Sequence, residues 1–467
     1  MVVPPLGLTV TDSINRRDLL KQALITSAGL AAASALTPMP AVAENITAVD
    51  APEAEPPREL FAKSMKGVPF ARHDVVRLAV VGTGLRGRGQ IGEFLAIEGV
   101  RIVAVADTVP EKAARAVKMC TDAGQPAPAV YTNGERDFER LVERDDIDYV
   151  YTATPWEWHV PVLLAALRAG KHCGAECPIG VTLKDLWELV DASERAQRHC
   201  MQLENCNYGY NEMLVNRLVH DGVLGEVLYG SAAYLHDLRE ILFENRDEGL
   251  WRRGWHTQVN GNLYPTHGLG PVAGYMDLNR GDRMTYMVSM STPERGLTLH
   301  REATVTDRTD PKWQERYVTG DLNSSLIMTA KGRNILLQHD VSNPRPYSRL
   351  NGVQGTKGVF EDYPARIYVE GQAGGERFTG IDEWKKTHEH PLWTRIGELA
   401  RTKGGHGGMD FILAYRLVET MREGLVPDID VYDSASWSAP MPLSQMSVAT
   451  GSKPMKFPDF TRGNWSA

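Results

Sequence analysis

Val75-Val-Arg-Leu-Ala-Val-Val81-Gly82-Thr-Gly84-Leu85-Arg86-Gly87-Arg-Gly89 is the stretch that decides the fold. A short apolar, β-branched run meets a Gly-x-Gly-x-x-Gly turn, and 86–96 then reads as a helix. Strand, glycine turn and helix in that order are the context in which this motif binds a dinucleotide. Gly82 allows a tight turn, Gly84 lets backbone approach a pyrophosphate, and Gly87 lets helix and strand pack closely. The helix N-terminus offers unpaired N–H groups and a positive dipole end to the phosphates. Arg86 can add a charge-assisted contact. A second apolar run, 100–106, ends in Asp107, 20 residues beyond Gly87. A carboxylate there accepts the adenosine ribose hydroxyls and repels a 2′-phosphate, so NAD is the expected cofactor rather than NADP.

Outward from this unit, 74–206 alternates short apolar runs with helical patterns. Strands are expected at 75–81, 100–106, 149–154, 172–175 and 201–203, and helices at 110–121, 160–169 and 183–196. That alternation implies a parallel sheet covered on both faces. After Cys206 the rhythm changes. A helix at 212–221 precedes strand-like stretches at 226–235, 285–291, 324–329, 334–340 and 367–370. The expected fold class is an α/β Rossmann domain (74–206) followed by a substrate-binding α+β domain (207–467) on a largely antiparallel open sheet. A late helix, 408–424, can pack back on the first domain. The tail from Leu425 to Ala467 shows little periodicity and is expected to lie along the surface, anchored by Trp437, Phe457, Phe460 and Trp465.

Ahead of the first domain, Asn15-Arg16-Arg17-Asp18-Leu19-Leu20-Lys21 precedes a mildly apolar stretch, and Ala41-Val42-Ala43 offers a small-x-small cleavage site. The paired arginines resemble a twin-arginine (Tat) export signal over 1–43, with Asn15 where Ser or Thr is usual and Leu19 where Phe is usual. An ordinary signal or an uncleaved anchor is the alternative. Export by the twin-arginine machinery carries folded proteins to the periplasm or beyond, so NAD would be loaded beforehand. Residues 44–73, rich in Pro, Ala and Glu, read as a linker or arm. The formal net charge of −8, with no basic tract outside the N-terminus, argues against nucleic acid as a partner. No later stretch is apolar for long enough to span a bilayer. Five cysteines (Cys120, Cys173, Cys177, Cys200 and Cys206) include no Cys-x-x-Cys pair. They read as buried free thiols, and no metal site is expected.

Ligands of open α/β sheets bind outside the carboxyl ends of the strands. Thr154-Pro155-Trp156-Glu157-Trp158-His159, Glu176-Cys177-Pro178 and Asn205 fall there and should line the nicotinamide half of the cofactor. Packing alone is the other reading of Trp156 and Trp158, and a helix start without chemistry is that of His159. The second domain must present the substrate, with Tyr234, His236, Asp237, Arg239, Arg252, Tyr264, His267 and Tyr347 as candidates. Tyrosines and a histidine among amides suit a polyhydroxylated ligand and offer possible proton shuttles. A tyrosine, with its pKa near ~10, would need a neighbouring positive charge to act as a base.

Several of these segments together resemble glycoside hydrolase family 109. They are Gly-Thr-Gly-Leu-Arg-Gly-Arg-Gly, Pro-Trp-Glu-Trp-His, Glu-Cys-Pro, Glu-Asn-Cys-Asn-Tyr, Ala-Tyr-Leu-His-Asp-Leu-Arg, Gly-Asn-Leu-Tyr-Pro-Thr-His-Gly and Asn-Arg-Gly-Asp. The tail adds His406-Gly-Gly-Met-Asp410-Phe and Phe457-Pro-Asp-Phe-Thr-Arg-Gly-Asn-Trp465. The resemblance runs from about residue 60 to the end. It implies the Gfo/Idh/MocA fold and an NAD-dependent α-N-acetylgalactosaminidase. It further implies cofactor contacts at Leu85, Arg86, Asp107, Trp156, Glu157, Trp158, His159, Glu176, Cys177, Asn205, Tyr264, Pro265, Thr266 and His267. Substrate contacts would be Tyr234, Arg252, Tyr264 and Tyr347. Sugar dehydrogenases of this fold usually carry Glu-Lys-Pro, whose lysine helps remove the hydroxyl proton. Here the triplet is Glu176-Cys177-Pro178, which speaks against plain dehydrogenase activity. The implied chemistry is oxidation at C3 of the sugar, elimination of the C1 aglycone, addition of water and reduction, with no net redox. His267 and Tyr347 are the expected proton-transfer groups, with Tyr264 and Glu176 in support. A secreted NAD-dependent sugar oxidoreductase is the alternative function, and a sugar-binding protein with structural NAD is a third. The open face of the second sheet suggests a homodimer.

Overall fold

The structure, a computed structural model, describes residues 55–372 and 375–466. The twin-arginine segment and its cleavage site lie outside the described residues. The first domain runs β1 (Val76–Val81), α1 (Leu85–Leu95), β2 (Val100–Ala106), α2 (Pro110–Asp122), β3 (Ala129–Tyr131), β4 (Tyr149–Thr152), α3 (Trp156–Arg168), β5 (His172–Ala175), α4 (Leu183–Ala196) and β6 (Cys200–Gln202). Its six strands lie in the order β3-β2-β1-β4-β5-β6, and all pairs are parallel. β1 and β4 are buried almost throughout, as strands covered on both faces must be. The order reverses between β1 and β4. A crevice opens there beyond the strand carboxyl ends, the usual ligand position in such sheets.

The second domain continues with α5 (Tyr210–His220), β7 (Val227–Leu235), α6 (Thr266–Tyr275), β8 (Met284–Ser291), β9 (Asn323–Thr329), β10 (Asn334–Asp340), β11 (Gly352–Gly355), β12 (Gly358–Glu361) and β13 (Arg366–Val369). Then come α7 (Met409–Glu423), α8 (Val431–Ser438), α9 (Pro440–Ala449) and β14 (Met455–Lys456). The eight strands lie in the order β13-β12-β11-β7-β10-β9-β8-β14. Only the β7–β10 pair is parallel, so the sheet is mixed and mostly antiparallel. β9 alternates buried and open positions. One face of the sheet packs on α6 and α9. On the other face Met290 and Leu326 stay 62% and 56% exposed.

α7 packs back on α1 and β1, as the late helical pattern implies. The tail departs from the expected surface strap. α8 and α9 are helices, and every residue of α8 is buried. A helix buried on all sides has no amphipathic period to read. α8 packs on β6 and α4, and α9 packs on β8, so the tail joins the two sheets. Residues 55–73 form an arm packed on the first domain. Phe70 is buried, with its ring 4.9 Å from that of His172 and 4.3 Å from that of His199. The five cysteines are buried and free. No helix among the described residues is long and apolar enough to cross a membrane.

Candidate active site

The glycine turn closes β1 and begins α1. Gly82 has φ of 83°, and a Cβ there would lie 2.9 Å from the Ala153 carbonyl carbon. A Cβ on Gly87 would fall 1.9 Å from the Gly82 oxygen, so helix and turn touch only because residue 87 is glycine. A Cβ on Gly84 would meet only the Lys112 amine, at 3.8 Å, which leaves this side open for a phosphate group. At the end of β2, Asp107 Oδ2 accepts from the Thr83 N–H at 2.8 Å and the Thr83 hydroxyl at 3.0 Å. Its Oδ1 accepts from the Val109 N–H at 2.9 Å. The carboxylate is thus braced at the lip of a cavity of about 530 Å³ that runs from the turn to the second domain. Gly82, Gly84, Leu85, Arg86 and Asp107 line its near half. An open glycine cradle, a helix N-terminus and an acid at the second strand end fit a dinucleotide with a free 2′-hydroxyl.

Arg86 lines the cavity with its guanidinium held by two carboxylates. Its Nε pairs with Glu176 at 3.0 Å and its Nη1 with Asp410 at 2.7 Å. The Tyr151 hydroxyl donates to Glu176 at 2.6 Å, and the Asn205 amide donates to Asp410 at 2.5 Å. His406 Nδ1 lies 2.7 Å from Asp410. Burial pushes the Asp410 carboxyl up, but His406 and Arg86 outweigh it and hold the group below the usual carboxylate range. Glu176 and Asn205, at the ends of β5 and β6, are thereby tied to α7, which supplies Asp410.

The far half of the cavity is aromatic. α6 begins at Thr266, and a Cβ on Gly268 would lie 2.2 Å from the Ala233 nitrogen of β7. A Cβ on Gly270 would lie 2.3 Å from Asn207 Oδ1 and 3.0 Å from Glu204 Cγ. α6 is thus wedged between β7 and the segment following β6, which brings His267 to both domains. The Tyr264 ring lies 4.7 Å from that of His267, 4.8 Å from Tyr234 and 5.9 Å from Trp156, stacked in the last case. The Arg252 guanidinium sits over Trp156 at 5.3 Å and Tyr264 at 5.0 Å, and pairs with Glu248 at 2.5 Å. Burial pushes the Tyr234 and Tyr264 hydroxyls up despite Arg252, so they serve as protonated donors near neutral pH. Tyr234 faces His236 Nδ1 at 3.0 Å. His267 Nδ1 lies 2.6 Å from Glu204 Oε1, and the Cys177 thiol donates to Glu204 Oε2 at 3.2 Å.

Of the expected site residues, Trp156, Glu157, Trp158, His159, Glu176, Cys177, Asn205, Tyr234, Arg252, Tyr264 and His267 line the same cavity. Pro265 and Thr266 lie outside its lining and begin α6, where Thr266 is buried. Tyr347 also lies outside the lining. Its ring is 6.1 Å from Tyr234 and 4.8 Å from His236, and its hydroxyl accepts from Arg349 at 2.9 Å. Burial pushes that hydroxyl up as well. His159 is buried between the Pro178 and Thr154 carbonyls, at 2.8 and 2.9 Å, and burial lowers it to about 4. It stays neutral, donates to one carbonyl and braces the two loops. Glu204, Glu248, Asp410 and Tyr151 escaped the sequence reading. Glu204 ends the β6 segment one residue before Asn205, so the strand-end rule could have found it. Cys177, Glu204 and His267 each bring one potential metal-ligand atom within 4.8 Å of the others. The 2.6 and 3.2 Å contacts among them are hydrogen bonds.

Residues 76–203 match the oxidoreductase family with the NAD-binding Rossmann fold. NAD is therefore the cofactor of the cleft. A levoglucosan dehydrogenase solved with NADH superposes with a TM-score of 0.61 at 19% identity, covering 82% of this chain and 99% of that one, a likeness of fold. Residues 208–467 match the C-terminal domain of glycosyl hydrolase 109. A glycosyl hydrolase family 109 protein of Saccharopolyspora erythraea is 54% identical over 97% of this chain and 96% of its own length. An α-N-acetylgalactosaminidase of Shewanella oneidensis is 44% identical over 97% of each chain. With a family match over the second domain and this identity over nearly the full length, the chain belongs to glycosyl hydrolase family 109.

Proposed function

We propose that the protein is a glycosidase that releases terminal α-N-acetylgalactosamine by an NAD-dependent oxidation, elimination, hydration and reduction cycle with no net redox. The observation that carries this reading is the shared cavity. His267 and the Tyr234–Tyr264 pair line the same space as the glycine turn, and Cys177 stands where a dehydrogenase of this fold would carry lysine. The name of the Shewanella oneidensis relative supports the substrate. NAD, when bound along Gly82, Gly84 and Asp107, supplies a reversible hydride acceptor for the sugar C3 position. Trp156 and Tyr264 offer flat faces for the sugar ring. The Tyr234 and Tyr264 hydroxyls donate hydrogen bonds, and Arg252 holds positive charge over the aromatic wall. Glu176, fixed by Arg86 and Tyr151, accepts a sugar hydroxyl. His267 Nε2 takes and returns a proton beside the sugar. Incubating the purified protein with a chromogenic α-N-acetylgalactosaminide and no added NAD tests the reading. Aglycone release without accumulating NADH is expected. NADH formed in proportion to sugar consumed would instead make the protein an oxidoreductase.

A further inference from the structure

We infer that Glu204 is a positioning residue that fixes the His267 ring and its tautomer, with the proton on Nδ1, so that Nε2 faces the sugar as a proton acceptor. The inference rests on the proton-transfer role proposed for His267. His267 lines the cavity, while its Nδ1 turns away to Glu204 at 2.6 Å. The Glu204 side chain is fully buried. Each carboxylate oxygen accepts twice. Oε1 takes His267 Nδ1 at 2.6 Å and the Cys206 N–H at 3.2 Å. Oε2 takes the Cys177 thiol at 3.2 Å and the Gln202 amide at 3.3 Å. The other three donors belong to the first domain, whereas His267 lies in the first turn of α6 of the second. The contact therefore sets the imidazole against the cofactor domain as well as choosing its tautomer.

Burial pushes the Glu204 carboxyl up, but His267 and the hydrogen bond from the Cys177 thiol outweigh it and hold the group below the usual carboxylate range, so four donors converge on an anion. An anion accepts and cannot donate, which assigns the shared proton to Nδ1. Nε2 has no hydrogen-bond partner among the described residues and is left for the cavity. Cys177 offers Glu204 only a weak S–H donor, so the histidine is the stronger partner of the carboxylate.

The test has an arm that needs no substrate. Nitrogen NMR of the NAD-loaded protein labelled with ¹⁵N-histidine, with His267→Gln identifying the resonances, reports which nitrogen carries the proton. A protonated Nδ1 and bare Nε2 are expected in the neutral ring, and the reverse overturns the inference whatever the protein hydrolyses. Stoichiometric zinc found by elemental analysis and held by these three side chains would overturn it too. The second arm is kinetic. In Glu204→Gln the amide can donate to Nδ1 and invert the tautomer. Turnover should fall by about 10²-fold or more, with KM changed less than about threefold and NAD retained. Glu204→Asp should recover part of the loss. Unchanged turnover in a folded Glu204→Gln protein overturns the inference. Should that variant fail to fold, the NMR arm on the unaltered protein decides.

Discussion

At the scale of single residues, side chains from distant positions meet at one cavity. Most of the functional groups that end a strand can be found from the sequence, although Glu204, one residue before Asn205, escapes that reading. Asp107, Glu176, Cys177 and Asn205 all stand at β-strand carboxyl ends and all line the cavity. Partners that come from far along the chain leave no local signal. Asp410 lies 205 positions from Asn205 and 324 from Arg86, yet bonds to both. Arg86 itself reads as a phosphate ligand from its place in the turn, but two carboxylates claim its guanidinium. Two substitutions test this layer. His267→Ala should lower turnover by about 10²-fold or more while the protein stays folded and NAD-loaded. Turnover within a few-fold of the unaltered protein would mean that His267 only ties its loop. Asp107→Ala should weaken NAD binding and admit NADP, since it removes the charge that repels a 2′-phosphate. Titration of both cofactors measures this, and unchanged selectivity would mean that Asp107 only braces the Thr83 turn.

At the scale of elements, periodicity gives the long amphipathic helices and the alternating strands. It misses the 13-residue helix Pro391–Lys403, α8, which is buried too evenly to show a face, α9, and the four-residue strands β11 and β12, too short to show alternation. α6 carries the tightest packing at the site. Gly268→Ala would drive a methyl group into the β7 backbone at Ala233, which cannot give way as a side chain would. A loss of about 1–3 kcal/mol is expected in denaturant unfolding. No loss would show that α6 can move off β7. The arm is held through histidines. Burial lowers His199 to about 4, and burial with the nearby His199 and Arg198 charges lowers His172 to about 2. Their folded values lie below the ordinary 6.5, so the unfolded chain binds more protons in the interval between. Stability from this packing is present above pH 6.5 and is lost as pH falls from there through 4. Urea midpoints measured across that range should fall with acid, and the fall should be smaller in His199→Gln.

At the scale of the whole molecule, the two-domain plan follows from the change of rhythm after Cys206. The role of the tail in joining the two sheets does not, because it depends on contacts made only once both sheets exist. The expected twin-arginine signal lies outside the described residues, and we propose export of the folded, NAD-loaded protein. Arg16→Lys with Arg17→Lys should trap precursor in the cytoplasm, and normal export of that variant would remove the claim. A homodimer through the exposed apolar face that carries Met290 and Leu326 is likewise proposed. Light scattering should give twice the chain mass for the unaltered protein and the single mass for Leu326→Asp. A monomeric unaltered protein contradicts it. The central claim is that glycosidic cleavage here proceeds by breaking and remaking the C2–H bond of the sugar. The direct measurement is turnover of an α-N-acetylgalactosaminide in deuterated water, with the released sugar examined by proton NMR. Deuterium at C2 is expected. A released sugar with hydrogen retained at C2, under conditions where His267 exchanges with solvent, would point to direct displacement at C1 and contradict it.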